Sequence, residues 1–102
     1  MITYGSDIKM NVSIEPISGL SMSGYEFECA FFIYDNRKVV VTKKQMEKVD
    51  DDNYIASIYG DSARILGRGR LMVEVTAHVP DGVFPSGFRT EKAVVWTGET
   101  VV

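Results

Sequence analysis

The side chains best suited to chemistry in this sequence belong to its single histidine and its single cysteine. His78 could act as a proton-transfer base, because an imidazole titrates near neutral pH. It lies in an alternating segment on the face opposite Val75 and Ala77, with no nucleophile or second ligand within local reach, so the sequence favours a solvent-facing strand residue. Cys29 shares the apolar register of its own segment, which predicts a buried thiol with little reactive thiolate. We therefore expect a protein that is not an enzyme.

Two further motifs contain groups that could bind a ligand. Residues 50–53, Asp-Asp-Asp-Asn, offer oxygens of the kind that calcium prefers, but their spacing differs from that of an EF-hand loop. Lys48 lies nearby, and consecutive acids in a turn are usually solvated. Residues 67–70, Gly-Arg-Gly-Arg, would let backbone N–H groups converge on a phosphate. Because no helix follows them, they favour a tight turn, and we expect no metal and no cofactor.

The segment 80–90 is the best candidate for recognition of a partner. Its prolines and glycines favour two turns, and Phe84, Phe88 and Arg89 lie between and after them. Aromatic rings and guanidinium groups on a rigid loop are good anchors for a protein partner. We predict that these three residues bind one. The competing interpretation is that both phenylalanine rings fold back to cover one end of the core, since monomers rarely expose large apolar patches.

A pattern of strands must position these residues. Residues 70–79 and 25–34 alternate apolar and polar side chains over their whole length, as half-buried β-strands do. Further strands are predicted at residues 7–14, 39–41, 54–59 and 92–102, with a bulge at Gly98. No segment of helix length has a helical period. The sequence therefore predicts an all-β fold, a two-layer antiparallel β-sandwich of six or seven strands, immunoglobulin-like in architecture, whose last strand is an edge open to another subunit.

Three connections carry signals of their own. A turn at residues 35–37 predicts a hairpin between the aromatic strand and the short valine strand. Residues 62–66 predict a single turn of helix. Residues 42–49 fit either a short helical turn or an irregular strand. In the helical alternative Thr42 and Gln45 form a capping box, and Met46 and Val49 face inward.

Length and composition define the class of protein. The 102 residues fit one domain covering residues 1–102, and fractions of 45% hydrophobic and 25% charged residues are those of a soluble globular domain. The net charge of -3 is small and dispersed, which argues against nucleic-acid and membrane partners. The first residues lack the pattern of a signal peptide, and no later run approaches the length of a membrane-spanning helix, so we expect synthesis in the cytoplasm.

The carboxyl-terminal half of the chain carries a resemblance to a known group of proteins. Residues 49–54, 67–71, 75–81 and 84–91 resemble segments of small proteins encoded in prophage structural gene clusters of gut anaerobic bacteria, near tail or baseplate genes. The resemblance implies a β-sandwich without enzymatic activity that helps to build or decorate a tail assembly, and so a place in a virion. It carries over no catalytic residue.

Two hypotheses of function follow. The first is a structural or assembly module that contacts other protein subunits, further copies of itself among them, through sheet edges and the segment 80–90. The alternative is a carbohydrate-binding or adhesion module in which Trp96, Tyr59, Tyr25 or Tyr54 stacks on a sugar ring. Trp96 shares its register with Val94, which favours a buried ring over a sugar platform.

Overall fold

The computed structural model describes residues 1–102 and contains seven strands in two antiparallel sheets. The elements are β1 (Ile8–Val12), β2 (Glu26–Phe32), β3 (Lys38–Thr42), β4 (Glu47–Asp50), β5 (Asn53–Ile58), α1 (Gly60–Leu66), β6 (Gly69–Pro80) and β7 (Phe88–Val101). One sheet has the order β1-β5-β4 and the other the order β3-β2-β6-β7. The predicted two-layer antiparallel sandwich is confirmed. No helix has the length and apolar character needed to cross a bilayer.

The core lies between the two sheets and is filled by the alternating apolar positions of facing strands. From the four-stranded sheet come Phe27, Cys29, Phe31, Val41, Leu71, Val73, Ala77 and Val79, and from the three-stranded sheet Ile8, Val12, Tyr54, Ala56 and Ile58. These are the positions that the alternation assigns to one face, because successive side chains of a strand point to opposite sides. The sequence pattern thus identifies both inner faces correctly.

The longest pairing joins β6 and β7. It runs from Gly69 opposite Val101 to Pro80 opposite Phe88, so β7 begins four residues before the predicted start at Lys92. The register shifts between Arg70, which lies opposite Thr100, and Met72, which lies opposite Trp96. Gly98 lies in this shift with a φ of +88°, a conformation that glycine adopts without strain. The predicted bulge is confirmed.

The ambiguous segment 42–49 contains both predicted structures in succession. A 3₁₀ turn at Lys43–Gln45 follows β3, and the backbone N–H of Thr42 donates to Gln45 Oε1 at 2.9 Å, as a capping box requires. The chain then becomes β4, a strand whose residues are all exposed. Met46 is buried as predicted, but the inward position predicted for Val49 is wrong.

The open sides of the sandwich are closed unequally. α1, longer than the single turn predicted at residues 62–66, contacts β3 and buries Ala63 and Leu66, which covers one side. At the other side the edge strands are β1 and β7. Only the end of β7 acquires a further neighbour there, because the first residues of the chain pair with it through a parallel bridge between Ile2 and Val101.

Candidate interaction surface at the β7 edge

The free edge of β7 is the longest unpaired stretch of backbone in the sheets. One side of the strand bonds to β6, and the other is covered only near its end. There the Ile2 N–H donates to the Thr100 carbonyl at 2.9 Å, and the Tyr4 N–H donates to the Val102 carbonyl at 2.9 Å. Residues 88–98 have no strand beside them. Such an edge presents backbone donors and acceptors that another strand can use.

Three consecutive apolar side chains lie on this edge. Val94, Val95 and Trp96 are 52%, 51% and 46% exposed, and we refer to them as the β7 edge patch. Val94 and Trp96 point to the outer face of the four-stranded sheet, whereas Val95 points to the inner face. The three-stranded sheet ends at β1 and leaves Val95 uncovered in an apolar groove of about 240 Å³, which Met10 and Val75 also line.

The exposed Trp96 ring corrects the expectation that it is buried. Trp96 and Val94 do share a register, but their face has no second layer of structure over it. The ring is nevertheless held in place. The Arg70 guanidinium lies 4.3 Å from the ring centroid, and the indole Nε1–H donates to the Glu99 carbonyl at 3.0 Å. A large side chain fixed before binding loses little conformational entropy on binding, which favours it as an anchor.

The predicted recognition loop occupies residues 81–87, between β6 and β7. The rings of Phe84 and Phe88 are each about half exposed, so they do not fold back to cap the core. Phe88 opens β7 on the same face as Val94 and Trp96, at the far end of the strand. The aromatic side chains predicted for partner binding are therefore accessible, and Phe88 belongs to the same edge as the patch.

Arg89 is committed to bonds within the protein. Its guanidinium donates to Asp81 at 3.0 Å, to Glu91 at 3.1 Å and to the Ser18 hydroxyl at 2.7 Å. The Val83 N–H and this guanidinium hold the pKa of Asp81 below its usual value. These bonds use three of the five N–H donors of the guanidinium and tie the recognition loop to the connection between β1 and β2.

His78 and Cys29 occupy the kinds of position that the alternation predicts. His78 is partly exposed on the outer face, where Glu26 and Thr90 are its neighbours in the sheet and its Nδ1 lies 3.4 Å from Thr90 Oγ1. Cys29 is fully buried, and burial raises the pKa of its thiol to about 11.

The acidic turn uses its carboxylates for its own structure. Asp50 accepts from the Asp52 N–H and from Asn53 Nδ2, both at 2.8 Å, which closes the two-residue connection between β4 and β5. Asp51 forms an ion pair with Lys48 at 3.0 Å. The bonds from Asn53 and from the Asp52 N–H lower the pKa of Asp50. The bond and the charge of Lys48 lower the pKa of Asp51. No cluster of three or more acidic, histidine or cysteine side chains suited to a metal ion is present.

The arginines of segment 67–70 lie over aromatic rings. The Arg68 guanidinium is 4.4 Å from the centroid of Tyr4, and Arg70 covers Trp96. Gly67 and Gly69 have φ values of +87° and +141°, which lets the chain turn from α1 directly into β6. The segment forms the tight connection that the sequence favours.

The residues proposed for sugar stacking divide into two groups. Tyr25 and Tyr54 are buried in the core, so their assignment as sugar platforms is wrong. Tyr59 is 68% exposed and lines a depression of about 390 Å³ together with Lys9, Gln45 and Glu47. This depression lies between β3 and the three-stranded sheet, away from the β7 edge.

Sequence reasoning did not single out Val94 and Val95. The signal was present, because Ala93, Val94, Val95 and Trp96 form a run of four apolar residues that interrupts the alternation. A strand with one buried face needs only every second residue apolar. A run of apolar residues therefore places apolar side chains on both faces of the strand.

Comparisons with models of known protein families, with curated proteins and with solved structures found no match for this chain.

Proposed function

We propose that this protein is a non-enzymatic assembly module that joins other protein subunits by strand pairing along β7. The observation that carries the proposal is the coincidence of an unpaired strand edge with three half-exposed apolar side chains on it. Proteins that stay monomeric protect long edges with charges, prolines or covering loops. The β7 edge has none of these at residues 93–96. An unprotected apolar edge of this kind is typical of a strand that another strand covers.

The free energies of burial and association favour strand addition over contact through side chains alone. Full burial of a large apolar side chain contributes about 1.5–3 kcal/mol, so covering the exposed halves of Val94, Val95 and Trp96 contributes roughly 3 kcal/mol in total. Association costs at least about 4 kcal/mol in lost freedom. Backbone hydrogen bonds, at about 0.5–1.5 kcal/mol each, are needed to exceed this cost. An added strand supplies them.

We extend the proposal to a particle, a phage-derived tail or baseplate, on the strength of the sequence resemblance in residues 49–91. In such a particle the module would be held by neighbouring subunits at its edge. Sedimentation of lysates from cells that carry the gene provides the test. The chain should travel with tail-sized particles, and recovery only in slow-sedimenting fractions would refute this setting.

The test of the edge uses Val94→Lys with Val40→Lys as its matched control. Val40 is 48% exposed, faces the same side of the sheet, and lies in the same cross-strand row on the opposite edge strand. In crude lysate, native size separation should show the wild-type chain and Val40→Lys in an assembly and Val94→Lys as a monomer. Circular dichroism checks that each variant folds. An assembly that Val94→Lys leaves intact would refute the proposal.

The recognition loop is a second contact in this proposal. Because Phe84 and Phe88 are half exposed, replacing both by Ser should leave the sandwich folded. We expect the double variant to lose assembly with its partner. An unfolded double variant would show instead that the rings stabilise the domain, and a folded variant that still assembles would remove the loop from the contact surface.

A carbohydrate-binding module remains the second candidate, and the observation that favours it is the position of Tyr59. An exposed aromatic ring beside the polar groups of Lys9, Gln45 and Glu47 has the composition of a sugar subsite. Binding on a glycan array that disappears in Tyr59→Ala would support this candidate. Array binding that instead disappears in Trp96→Ala would place the sugar at the β7 edge, and no binding would exclude the candidate for the sugars tested.

A further inference from the structure

We propose that the partner at the β7 edge is a second copy of this chain, paired antiparallel about a two-fold axis that passes beside Val94. The inference rests on the proposed function and specifies the partner. Three features of the molecule support it: the charges along β7, the position of residues 1–4, and the short opposite edge of the four-stranded sheet.

Symmetry limits the possible pairings. A two-fold axis perpendicular to the sheet places two β7 strands side by side in opposite directions, with the outer face of one continuous with the outer face of the other. Opposed residues of antiparallel strands share a face, so one residue must lie opposite its own copy. Each register is therefore defined by the residue on the axis.

Charge selects among these registers. An axis at Glu91 or Lys92 places like charges directly opposite each other, which is destabilising. An axis at Ala93 places Glu91 opposite Val95 of the copy and Lys92 opposite Val94 of the copy, so both charges face apolar side chains.

An axis at Val94 makes every central pair complementary. Val94 meets its own copy, Ala93 lies opposite Val95 of the copy, and Lys92 lies opposite Trp96 of the copy. An ammonium group beside an indole ring gains a cation–π attraction. Because of the two-fold symmetry, the Ala93–Val95 pair and the Lys92–Trp96 pair each occur twice in the dimer. This register therefore covers the whole β7 edge patch and leaves no like charges opposed.

The first residues of the chain set the end of the overlap. Residues 1–4 occupy the edge beside residues 100–102, where Ile2 and Tyr4 bond to the β7 backbone. The Met1 ammonium forms an ion pair with Glu99 at 3.1 Å. A paired copy centred at Val94 must end opposite residue 98, so residue 90 of each strand faces residue 98 of the other. The proposed overlap, residues 90–98, therefore falls within the part of the β7 edge that has no strand beside it, residues 88–98.

The opposite edge of the four-stranded sheet favours an assembly that closes at two copies. Pairing β7 with its copy produces a continuous sheet whose two outer strands are both β3. β3 has five residues, begins with Lys38, precedes Lys43 and Lys44, and is contacted by α1. Short, lysine-flanked edges resist further addition. The geometry therefore favours a dimer over a growing filament.

Purified protein tests the inference by its mass in solution. Analytical ultracentrifugation should give twice the 11.4 kDa of one chain for the wild type and for Val40→Lys. Val94→Lys places two ammonium groups on the axis and should weaken the dimer by about ten-fold or more. Within its own sheet the new lysine lies opposite Glu74, so the variant should stay folded.

Mixing variants of opposite charge tests self-pairing directly. Val94→Glu alone should also lose the dimer, because two carboxylates then meet on the axis. Since Glu74 lies opposite residue 94 within the sheet, circular dichroism of this variant establishes that it folds before it is mixed. An equimolar mixture with Val94→Lys should recover the dimer mass, since each axis now carries opposite charges. Failure of the mixture to associate, while the wild type is a dimer, would overturn the register.

A cross-link gives an independent readout of the axis. Val94→Cys should form a disulfide between copies under mild oxidation, because opposed residues of antiparallel strands have Cα atoms about 4.5–5.5 Å apart, within the range that a disulfide spans. Val40→Cys provides the control for random collision. Native Cys29 is fully buried and does not compete. Equal cross-linking of both variants would contradict the proposed axis.

The two proposals fail in different ways. A purified monomer whose lysate assembly is nevertheless lost in Val94→Lys refutes the second copy and keeps the assembly function with a different subunit. A chain that is monomeric in lysate as well as in pure form refutes both.

Discussion

The close approach of Gly60 to Gly5 provides the most demanding test of the packing. A Cβ atom added at Gly60 would lie 2.7 Å from the Gly5 carbonyl oxygen and 3.5 Å from Asp7 Oδ1. The Gly60 N–H also donates to Asp7 Oδ1 at 2.7 Å. Gly60→Ala must therefore displace backbone, because no flexible side chain can yield, and must weaken a hydrogen bond to a charged acceptor.

The expected cost follows from these contacts. Forced repacking typically costs about 1–3 kcal/mol, and loss of a hydrogen bond to a charged group adds about 1.5 kcal/mol. The better helix propensity of alanine at the start of α1 offsets at most about 1 kcal/mol. We expect a net loss near 2 kcal/mol, which lowers the Tm of a domain of this size by roughly 10 °C.

Gly82→Ala is the matched control for this substitution. A Cβ at Gly82 meets no atom within 4 Å, and Gly82 has no positive φ. Urea and thermal denaturation of both variants should therefore show a change within about 0.5 kcal/mol for Gly82→Ala. Equal stability of the two variants would refute the packing argument.

Hydrogen exchange adds a local readout to the same experiment. Gly5 lies just after the residues that pair with the end of β7, so a displaced Gly5 should loosen that pairing. In Gly60→Ala the amides of Ile2 and Tyr4 should exchange faster than in the wild type. Unchanged exchange at both amides would mean that the displacement is absorbed within α1 instead.

Three further measurements test separate features. The Tyr25 hydroxyl is buried without a hydrogen-bond partner, so Tyr25→Phe should leave the free energy of unfolding unchanged or raise it by up to about 1 kcal/mol, and a clear loss in urea denaturation would contradict this. Because burial raises the pKa of Cys29 to about 11, a thiol reagent at pH 8 should label the native protein far more slowly than the unfolded chain, and equal rates would show an accessible thiol. The lowered pKa of Asp81 contributes stability that is fully present above the ordinary carboxyl pKa and is lost as the pH falls through the folded value. Asp81→Asn should therefore make Tm less dependent on pH in acid, and an unchanged acid profile would refute the role of its bonds to Val83 and Arg89.

The sequence predicted strands well wherever one face is buried. β2, β5 and β6 alternate because each inner position packs against the opposite sheet. Alternation did not identify β4 as a strand, because Glu47-Lys48-Val49-Asp50 has no buried face. Its pairing depends on the hydrogen bonds around Asp50 and on β5 beside it, which periodicity does not report.

The candidate site was harder to predict because alternation shows which side chains share a face and not whether that face is covered. Trp96 and Val94 were assigned to the correct common face, yet the cover depends on where the other sheet ends. Arg89 shows a second limit. Its contact with Ser18 spans 71 positions in the chain, and only the tertiary fold brings the two together.

The bridge between Ile2 and Val101 has a consequence for biosynthesis. Residues 2 and 4 are translated well before β7, so they and the side of β6 that β7 covers stay unpaired until β7 has been made. The four-stranded sheet therefore cannot be completed on a nascent chain that still lacks β7. Until β7 is present, β6 has an open edge, and open strand edges are sites of aggregation in incompletely folded chains.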